Sequence, residues 1–233
     1  MAKNTKTNEV EGKETVEFFK DLDREALQTE RFVEKNSKLL SMIFGGLVLL
    51  VLAYFAYQQF VIAPKNEEAT KGYLAAIAKL QNNQTSEALG GKSAANPGFL
   101  GTYNNYSNTD AGKLSAYNAG LLKFKEGKFK EAYDLLDDFS SDNKILMALK
   151  YGAMADASAN LNKADDALSL LDKASSASDD PYTSYYFTRK AGIMALALKK
   201  KAEAKKYFSS IDEKYKEYDN GMSDSYIEMV KYF

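Results

Sequence analysis

Residues Leu39 to Ala63 read LLSMIFGGLVLLVLAYFAYQQFVIA, and this stretch contains no charged residue. A helix rises about 1.5 Å per residue, so about 20 apolar residues cross a hydrocarbon core about 30 Å thick. A buried helix of a soluble protein is the alternative, but such a helix normally has a polar stripe or charged ends. The stretch therefore predicts a transmembrane helix over residues 39–63.

The same stretch does not fit a cleaved signal peptide. Such peptides have a short basic start, an apolar region of about 7–15 residues and a small-x-small cleavage site. Here residues 1–38 precede a longer apolar run, and Tyr57-Gln58-Gln59-Phe60 closes it. The sequence therefore predicts an uncleaved anchor, with Tyr54, Tyr57 and Phe60 near one membrane interface.

Basic residues are more frequent before the predicted anchor than directly after it. The residues before it are Lys20, Arg24, Arg31, Lys35 and Lys38, and those after it are Lys65, Lys71 and Lys79. Because segments rich in Lys and Arg stay in the cytoplasm, we expect the amino terminus inside. Residues from about 65 onward are then expected outside the cytoplasmic membrane.

Composition excludes several kinds of site. The 233-residue chain has a net charge of −1 and contains neither cysteine nor histidine. A disulfide framework, a zinc-thiolate site and any Ser-His-Asp or Cys-His arrangement are therefore impossible. The balanced charge gives no broad attraction to nucleic acid. Since no GxxxxGK[ST] or GxGxxG motif occurs either, we expect no enzymatic activity, no cofactor, no metal and no nucleic-acid partner.

Two segments precede the predicted anchor. Residues 1–13 are polar and charged, and we expect a disordered tail there. Residues 14–38 have the pattern of a charged cytoplasmic helix with sparse apolar positions, among them Phe18, Phe19 and Leu22. Two interpretations stay open for this helix: a solvated extension of the anchor, or a helix that docks on a cytoplasmic partner through these three side chains.

After the anchor, residues 64–109 are predicted to form the entry helices of an extracytoplasmic domain. Tyr73, Ile77 and Leu80 form an apolar stripe at helical spacing, and Asn96-Pro97-Gly98 marks a loop. Residues 110–233 then repeat a pattern of paired helices, and we expect an α-solenoid of about three to four helix pairs. The last segment, residues 223–233, is predicted to be an amphipathic helix that caps the open end of the stack.

Small residues recur at fixed positions in the repeated region. Ala132, Ala167 and Ala204 lie early in the second helix of each pair, at spacings of 35 and 37 residues. A large apolar residue follows each of them four positions later: Leu136, Leu171 and Phe208. Because antiparallel helices approach closely only where side chains are small, the spacing favours tetratricopeptide repeats. The alternative is an ordinary all-α bundle in which these small residues coincide by chance.

The chain resembles the YfgM-like ancillary subunits of the bacterial Sec translocon. A charged tail, one amino-terminal anchor and the segment GFLGTYNNYSNTDAGKLSAYNAGLLKFKEGKFKEAY carry the resemblance, and they resemble proteins of this type in Bacteroidota. The resemblance implies a non-enzymatic inner-membrane protein with a periplasmic domain. It also implies as partners the translocon channel, a membrane-anchored periplasmic isomerase-type chaperone and translocating polypeptides. The chain departs from the usual repeat pattern in lacking Trp.

Stacked helix pairs commonly bind peptide on the face formed by the first helix of each pair. On that basis we expect nine side chains in a protein-binding groove: Tyr117, Leu121, Phe124, Lys125, Asp156, Asn160, Tyr186, Arg189 and Ile193. Ordinary helix packing or a solvated polar face is the alternative for each of them. A scaffold of a cell-envelope complex, in division or outer-membrane assembly, is the alternative function, and a cytoplasm-facing scaffold would require the opposite orientation.

Overall fold

The computed structural model describes residues 33–233. The predicted tail at residues 1–13 and the candidate docking residues Phe18, Phe19 and Leu22 lie outside the described residues. The chain divides into two compact units, Met1–Ile62 and Ala63–Phe233. All the regular elements among residues 33–233 are helices, so the all-α prediction is confirmed for that part of the chain.

The described part of the first unit is dominated by helix α1, Ser37–Tyr57. A π-helical turn, Gln58–Ile62, follows it, and Gln58 Nε2 donates a hydrogen bond to Tyr54 Oη at 3.0 Å. None of the residues of α1 is buried, although nearly all of them are apolar. Within residues 33–233, one helical stretch is long and apolar enough to cross a membrane, and it runs Ser37–Gln81.

The second unit consists of eleven helices. In chain order they are α2 Ala63–Gln81, α3 Thr85–Gly90, α4 Gly98–Tyr106, α5 Asp110–Lys125, α6 Phe129–Asp137, α7 Lys144–Asn160, α8 Ala164–Ala177, α9 Pro181–Ala197, α10 Lys201–Lys214, α11 Lys216–Asp219 and α12 Asp224–Val230. Three of the longer helices have a side-chain cap at their amino-terminal end. Thr109, Asn143 and Asp180 accept backbone hydrogen bonds at the first turns of α5, α7 and α9, which satisfies amide groups that a helix leaves free.

Four helical hairpins share one type of turn. The pairs α2–α3, α5–α6, α7–α8 and α9–α10 are each joined by three residues, and the middle residue has a positive φ. These middle residues are Asn83, Gly127, Asn162 and Lys199. In each turn the next amide donates to the carbonyl five residues back, at 2.9 to 3.0 Å. This is the Schellman geometry, which Gly and Asn tolerate best, and it reverses the chain tightly.

Small residues fix how closely the two helices of a hairpin approach. The alanine five positions after each turn centre is fully buried: Ala88, Ala132, Ala167 and Ala204. On the first helix, a Cβ added to Gly120 would lie 2.8 Å from Leu136 Cγ, and one added to Gly192 would lie 2.9 Å from the Phe208 ring. Both glycines are therefore required by the close contact with the large residue of the second helix.

Successive hairpins pack through a second set of contacts, at a separation of 34 or 35 residues. Tyr207 Oη donates to Asp172 Oδ1 at 2.8 Å, and Lys200 Nζ lies 2.6 Å from Asp165 Oδ1. The main hydrophobic core runs along α6 to α12, with Leu136, Leu171 and Phe208 among its fully buried members. The helices therefore form a linear stack in which each pair contacts the next one along the chain.

The carboxyl end of the stack is closed by α11 and α12. The ring of Tyr226 stacks on Phe208 with centroids 5.1 Å apart, and Ile227 and Val230 are buried. The predicted capping helix over residues 223–233 is shorter in the structure, because α12 ends at Val230 and Tyr232 remains 86 % exposed.

Candidate functional site

The first helices of three hairpins, α5, α7 and α9, have a side that the second helices do not cover. We call this side the first-helix face. Each first helix carries small or apolar residues around most of its circumference, so one side packs in the hairpin while the other still exposes apolar atoms. Two cavities open on this face, and they contain most of the side chains that the sequence predicted for the groove.

The first cavity has a volume of about 360 Å³ and lies where α2, α5 and α7 meet. Its lining is Leu80, Asn118, Leu121, Leu122, Phe124, Lys125, Ala153 and Asp156. The Phe124 ring is held edge-on against Phe129, with centroids 5.3 Å apart. Lys125 is exposed at the edge. The cavity therefore combines an apolar floor with one cation and one carboxylate.

The second cavity has a volume of about 370 Å³ and lies between α9 and the segment before α12. Its lining is Tyr182, Tyr185, Tyr186, Arg189, Lys190, Ile193 and Met222. Tyr182 is 60 % exposed, Tyr186 50 % and Met222 53 %, so the rim is apolar and open. The cavity therefore surrounds an arginine with exposed aromatic and aliphatic side chains.

An ion pair stands between the two cavities. Lys190 Nζ lies 2.6 Å from Asp156 Oδ1, and Asp156 lines the first cavity while Lys190 lines the second. The pair joins α7 to α9, so the two cavities are neighbours on the first-helix face. An extended polypeptide that filled both would pass over this pair.

Two of the predicted groove residues lie elsewhere. Tyr117 lines neither cavity; its ring packs against Phe139 with centroids 5.0 Å apart, and burial raises the pKa of its hydroxyl. Asn160 is exposed at the end of α7, where Nδ2 donates to the Asp156 carbonyl at 2.8 Å. The structure therefore brings Leu121, Phe124, Lys125 and Asp156 together in one cavity, and Tyr186, Arg189 and Ile193 in the other.

The predicted set did not include eight of the lining residues: Leu80, Asn118, Leu122, Ala153, Tyr182, Tyr185, Lys190 and Met222. Tyr182 extends the predicted line of Tyr186, Arg189 and Ile193 by one helical turn, so the same spacing argument would have found it. Leu80 belongs to the predicted entry helices, and Met222 arrives from the segment before α12. No periodicity within a hairpin indicates these two, because they come from neighbouring elements.

The electrostatics of the second cavity centre on Arg189 and Asp219. Burial alone would raise the pKa of Asp219, but hydrogen bonds from Ser223 and Tyr185, together with the charge of Arg189, lower it. Its carboxylate accepts from Tyr185 Oη at 2.9 Å and from Ser223 N and Oγ at 2.8 and 2.6 Å. Burial and the bond to Asp219 raise the pKa of Tyr185 to about 12. Asp219 is therefore charged and already well supplied with donors.

Within residues 33–233, no group of three or more Asp or Glu side chains is placed to hold a metal ion. The two cavities present apolar surface together with a guanidinium, ammonium groups and a carboxylate. No protein-family model matches the chain, and no curated protein sequence matches it. The resemblance to translocon-associated subunits therefore stays a prediction.

Proposed function

We propose that the protein is a membrane-anchored, non-enzymatic adaptor or chaperone of the bacterial Sec translocation machinery. On this proposal its extracytoplasmic domain binds proteins through tetratricopeptide repeats. The observation that carries the proposal is the pair of neighbouring apolar cavities on the first-helix face. Concave apolar sites with a few polar groups are the usual form of a binding site for extended chains.

The exposed apolar surface of α1 supports a membrane anchor. Phe44 is 70 % exposed, Leu50 is 69 % and Leu49 is 68 %. A core helix of a soluble protein would bury such side chains, because exposure to water costs about 25 cal/mol per Å² of apolar surface. A bilayer covers the helix without leaving backbone groups unpaired.

The register of the hairpins supports tetratricopeptide repeats. The repeat has a small residue in its first helix and an A-x₃-F pattern in its second. Ala204-x₃-Phe208 matches this pattern, and Ala132-x₃-Leu136 and Ala167-x₃-Leu171 follow it with Leu in place of Phe. All six residues are fully buried. The α2–α3 hairpin has the same turn and the same buried alanine, Ala88, so we include it as a further repeat.

The named partners follow from the resemblance. They are the translocon channel, a membrane-anchored periplasmic isomerase-type chaperone and translocating polypeptides. Photo-crosslinking in living cells tests them directly. A photoreactive amino acid is placed at Phe124 or Tyr186, one in each cavity, and at Ser169, which is exposed on α8 outside both cavities.

The expected result is crosslinking to newly translocated polypeptides from Phe124 and Tyr186 but not from Ser169. Crosslinks only to division or outer-membrane assembly proteins would favour a scaffold instead. Equal crosslinking from all three positions, or none from the two cavities, would contradict the proposal.

The membrane topology can be tested by labelling introduced cysteines, because the chain has no cysteine of its own. Ser169→Cys and Thr5→Cys are labelled in intact cells, after permeabilising only the outer membrane, with a maleimide that does not cross the inner membrane. We expect labelling of the first variant only. Labelling of the second alone would place the hairpins in the cytoplasm and contradict the proposed function.

A further inference from the structure

The arginine that lines the second cavity, Arg189, differs in its chemistry from the other cations of the domain. Arg189 is the only arginine among residues 33–233, a stretch rich in lysine. The buried Nε of Arg189 has no hydrogen-bond partner among the described residues, and Nη2 donates weakly to the Met222 carbonyl at 3.4 Å. Because Nε is buried, a ligand in the cavity would reach the guanidinium through its Nη groups, and the Nη2 bond to Met222 is exposed.

The charges around Arg189 leave its guanidinium without a carboxylate bound to it. The ammonium of the adjacent Lys190 is paired with Asp156. The Asp219 carboxylate accepts its hydrogen bonds from Tyr185 and Ser223. Arg189 lies close enough to Asp219 for its charge to lower the pKa of that carboxylate, but among residues 33–233 no acidic side chain forms an ion-pair contact with Arg189. The cavity therefore presents a planar cation whose geometry matches a carboxylate through two parallel hydrogen bonds.

Apolar side chains surround this cation on the open side. Tyr182, Tyr186 and Ile193 share the exposed face of α9, and Met222 lies across from them. Exposed tyrosines beside an arginine are typical of the energetically dominant part of a protein interface. A ligand that paired with Arg189 and also covered the apolar side chains would carry a carboxylate next to a large apolar group.

We propose that the second cavity binds an Asp or Glu residue adjacent to a large apolar residue of an extended polypeptide, with Arg189 pairing with the carboxylate. Tyr182 and Tyr186 then contact the apolar neighbour. The inference rests on the proposed function, which makes a polypeptide the ligand, and it adds the chemistry that the polypeptide must present.

The test measures peptide binding to the full-length protein in detergent micelles by fluorescence anisotropy. The probes are a short labelled peptide with a central Glu-Phe pair and matched peptides with Gln-Phe or Glu-Ala. Because a hydrogen bond to a charged group and a buried aromatic ring each change affinity by about a factor of ten, we expect about tenfold weaker binding of either matched peptide.

Variants of the protein test which side chains recognise each part of the peptide. Arg189→Gln is expected to bind the Glu-Phe peptide about tenfold more weakly and to lose the preference for Glu over Gln. Tyr186→Ala removes a half-exposed ring and is expected to lose the preference for Phe over Ala. Lys205→Gln removes an exposed cation outside both cavities and is the matched control, expected to bind as the parent does.

Each outcome of the binding experiment either supports or overturns the proposed recognition of an acidic residue beside an apolar one. Equal affinity for the three peptides, or an Arg189→Gln variant that still prefers Glu, would overturn the inference and leave the proposed function standing. Binding of none of the peptides would also overturn it, while crosslinking from Phe124 in cells reports separately on the proposed function. If Arg189→Gln does not fold, Tyr186→Ala and the peptide series still decide.

Discussion

Lys150 Nζ donates hydrogen bonds to the carbonyl oxygens of Phe139 and Asp137, both at 2.8 Å. Only 6 % of Lys150 is exposed, so one hairpin's first helix places a buried ammonium at the carboxyl end of the preceding hairpin's second helix. Burial lowers the pKa of Lys150, but the carbonyl dipoles at a helix end still favour a cation there. The contact therefore joins α6 to α7 without a buried carboxylate.

Lys150→Met should destabilise the domain by about 1 to 3 kcal/mol, because two carbonyl groups lose a charged donor. Urea unfolding followed by circular dichroism measures the change. Lys144→Met is the matched control on the same helix, where the exposed ammonium pairs with the exposed Asp179 and contributes little. An equal loss of stability in both variants would contradict the role given to Lys150.

Gly192→Ala tests the close contact inside the third of the predicted helix pairs. The added Cβ would lie 2.9 Å from the Phe208 ring, which is fully buried and stacked on Tyr226, so the ring has little room to shift. We expect a loss of about 1 to 3 kcal/mol in the free energy of unfolding, the usual cost of overpacking. Gly90→Ala is the control. A Cβ added there would meet no atom within 4 Å beyond its chain neighbours and its own helix backbone, so this variant should be as stable as the parent.

Alkaline pH should weaken the closure of the stack through Tyr185. The folded-state pKa of Tyr185 is about 12, above the unfolded value near 10, so the folded protein holds this proton longer. The stability that Tyr185 contributes to the folded state is therefore fully present below about pH 10 and is lost as pH rises through 12. Thermal melts from pH 8 to 12 should show a shallower decline for Tyr185→Phe than for the parent. Parallel curves would contradict this assignment.

The ion pair between the cavities should matter little for stability. The side chains of Lys190 and Asp156 are 32 % and 42 % exposed, and pairs of this kind contribute about 0.2 to 1 kcal/mol. A double-mutant cycle with Lys190→Gln and Asp156→Asn should therefore give a coupling energy in that range. A coupling above about 2 kcal/mol would show that the pair stabilises the fold instead of only separating the cavities.

The hairpins could be anticipated from sequence because their determinants are local. Ala132, Ala167 and Ala204 recur at nearly constant spacing, and each turn between the paired helices is three residues long. The helices of the α2–α3 hairpin were predicted as entry helices and not grouped with the repeated pairs, because α4 lies between this hairpin and the next pair and shifts the spacing. Its turn centre, Asn83, was the available signal, since asparagine adopts a positive φ more readily than most residues.

The cavities were only partly predictable, for a physical reason. A helix periodicity indicates which residues share a side of one helix, so Tyr186, Arg189 and Ile193 could be grouped together. It gives no information about what a distant segment contributes. Met222 completes the second cavity from the segment before α12, and Tyr117 turns instead to Phe139, because the loop after α6 brings that ring against α5.

Leu49→Arg tests whether α1 enters a bilayer. A central arginine costs about 2.5 to 3.5 kcal/mol of insertion free energy, whereas phenylalanine at the same position is favourable. We expect the parent and Leu49→Phe to stay in the membrane pellet after an alkaline carbonate wash, and Leu49→Arg to be released in larger amounts. Because Leu49 is 68 % exposed and contacts no core, the arginine should not unfold the hairpins. A parent chain released by the same wash would contradict the membrane anchor.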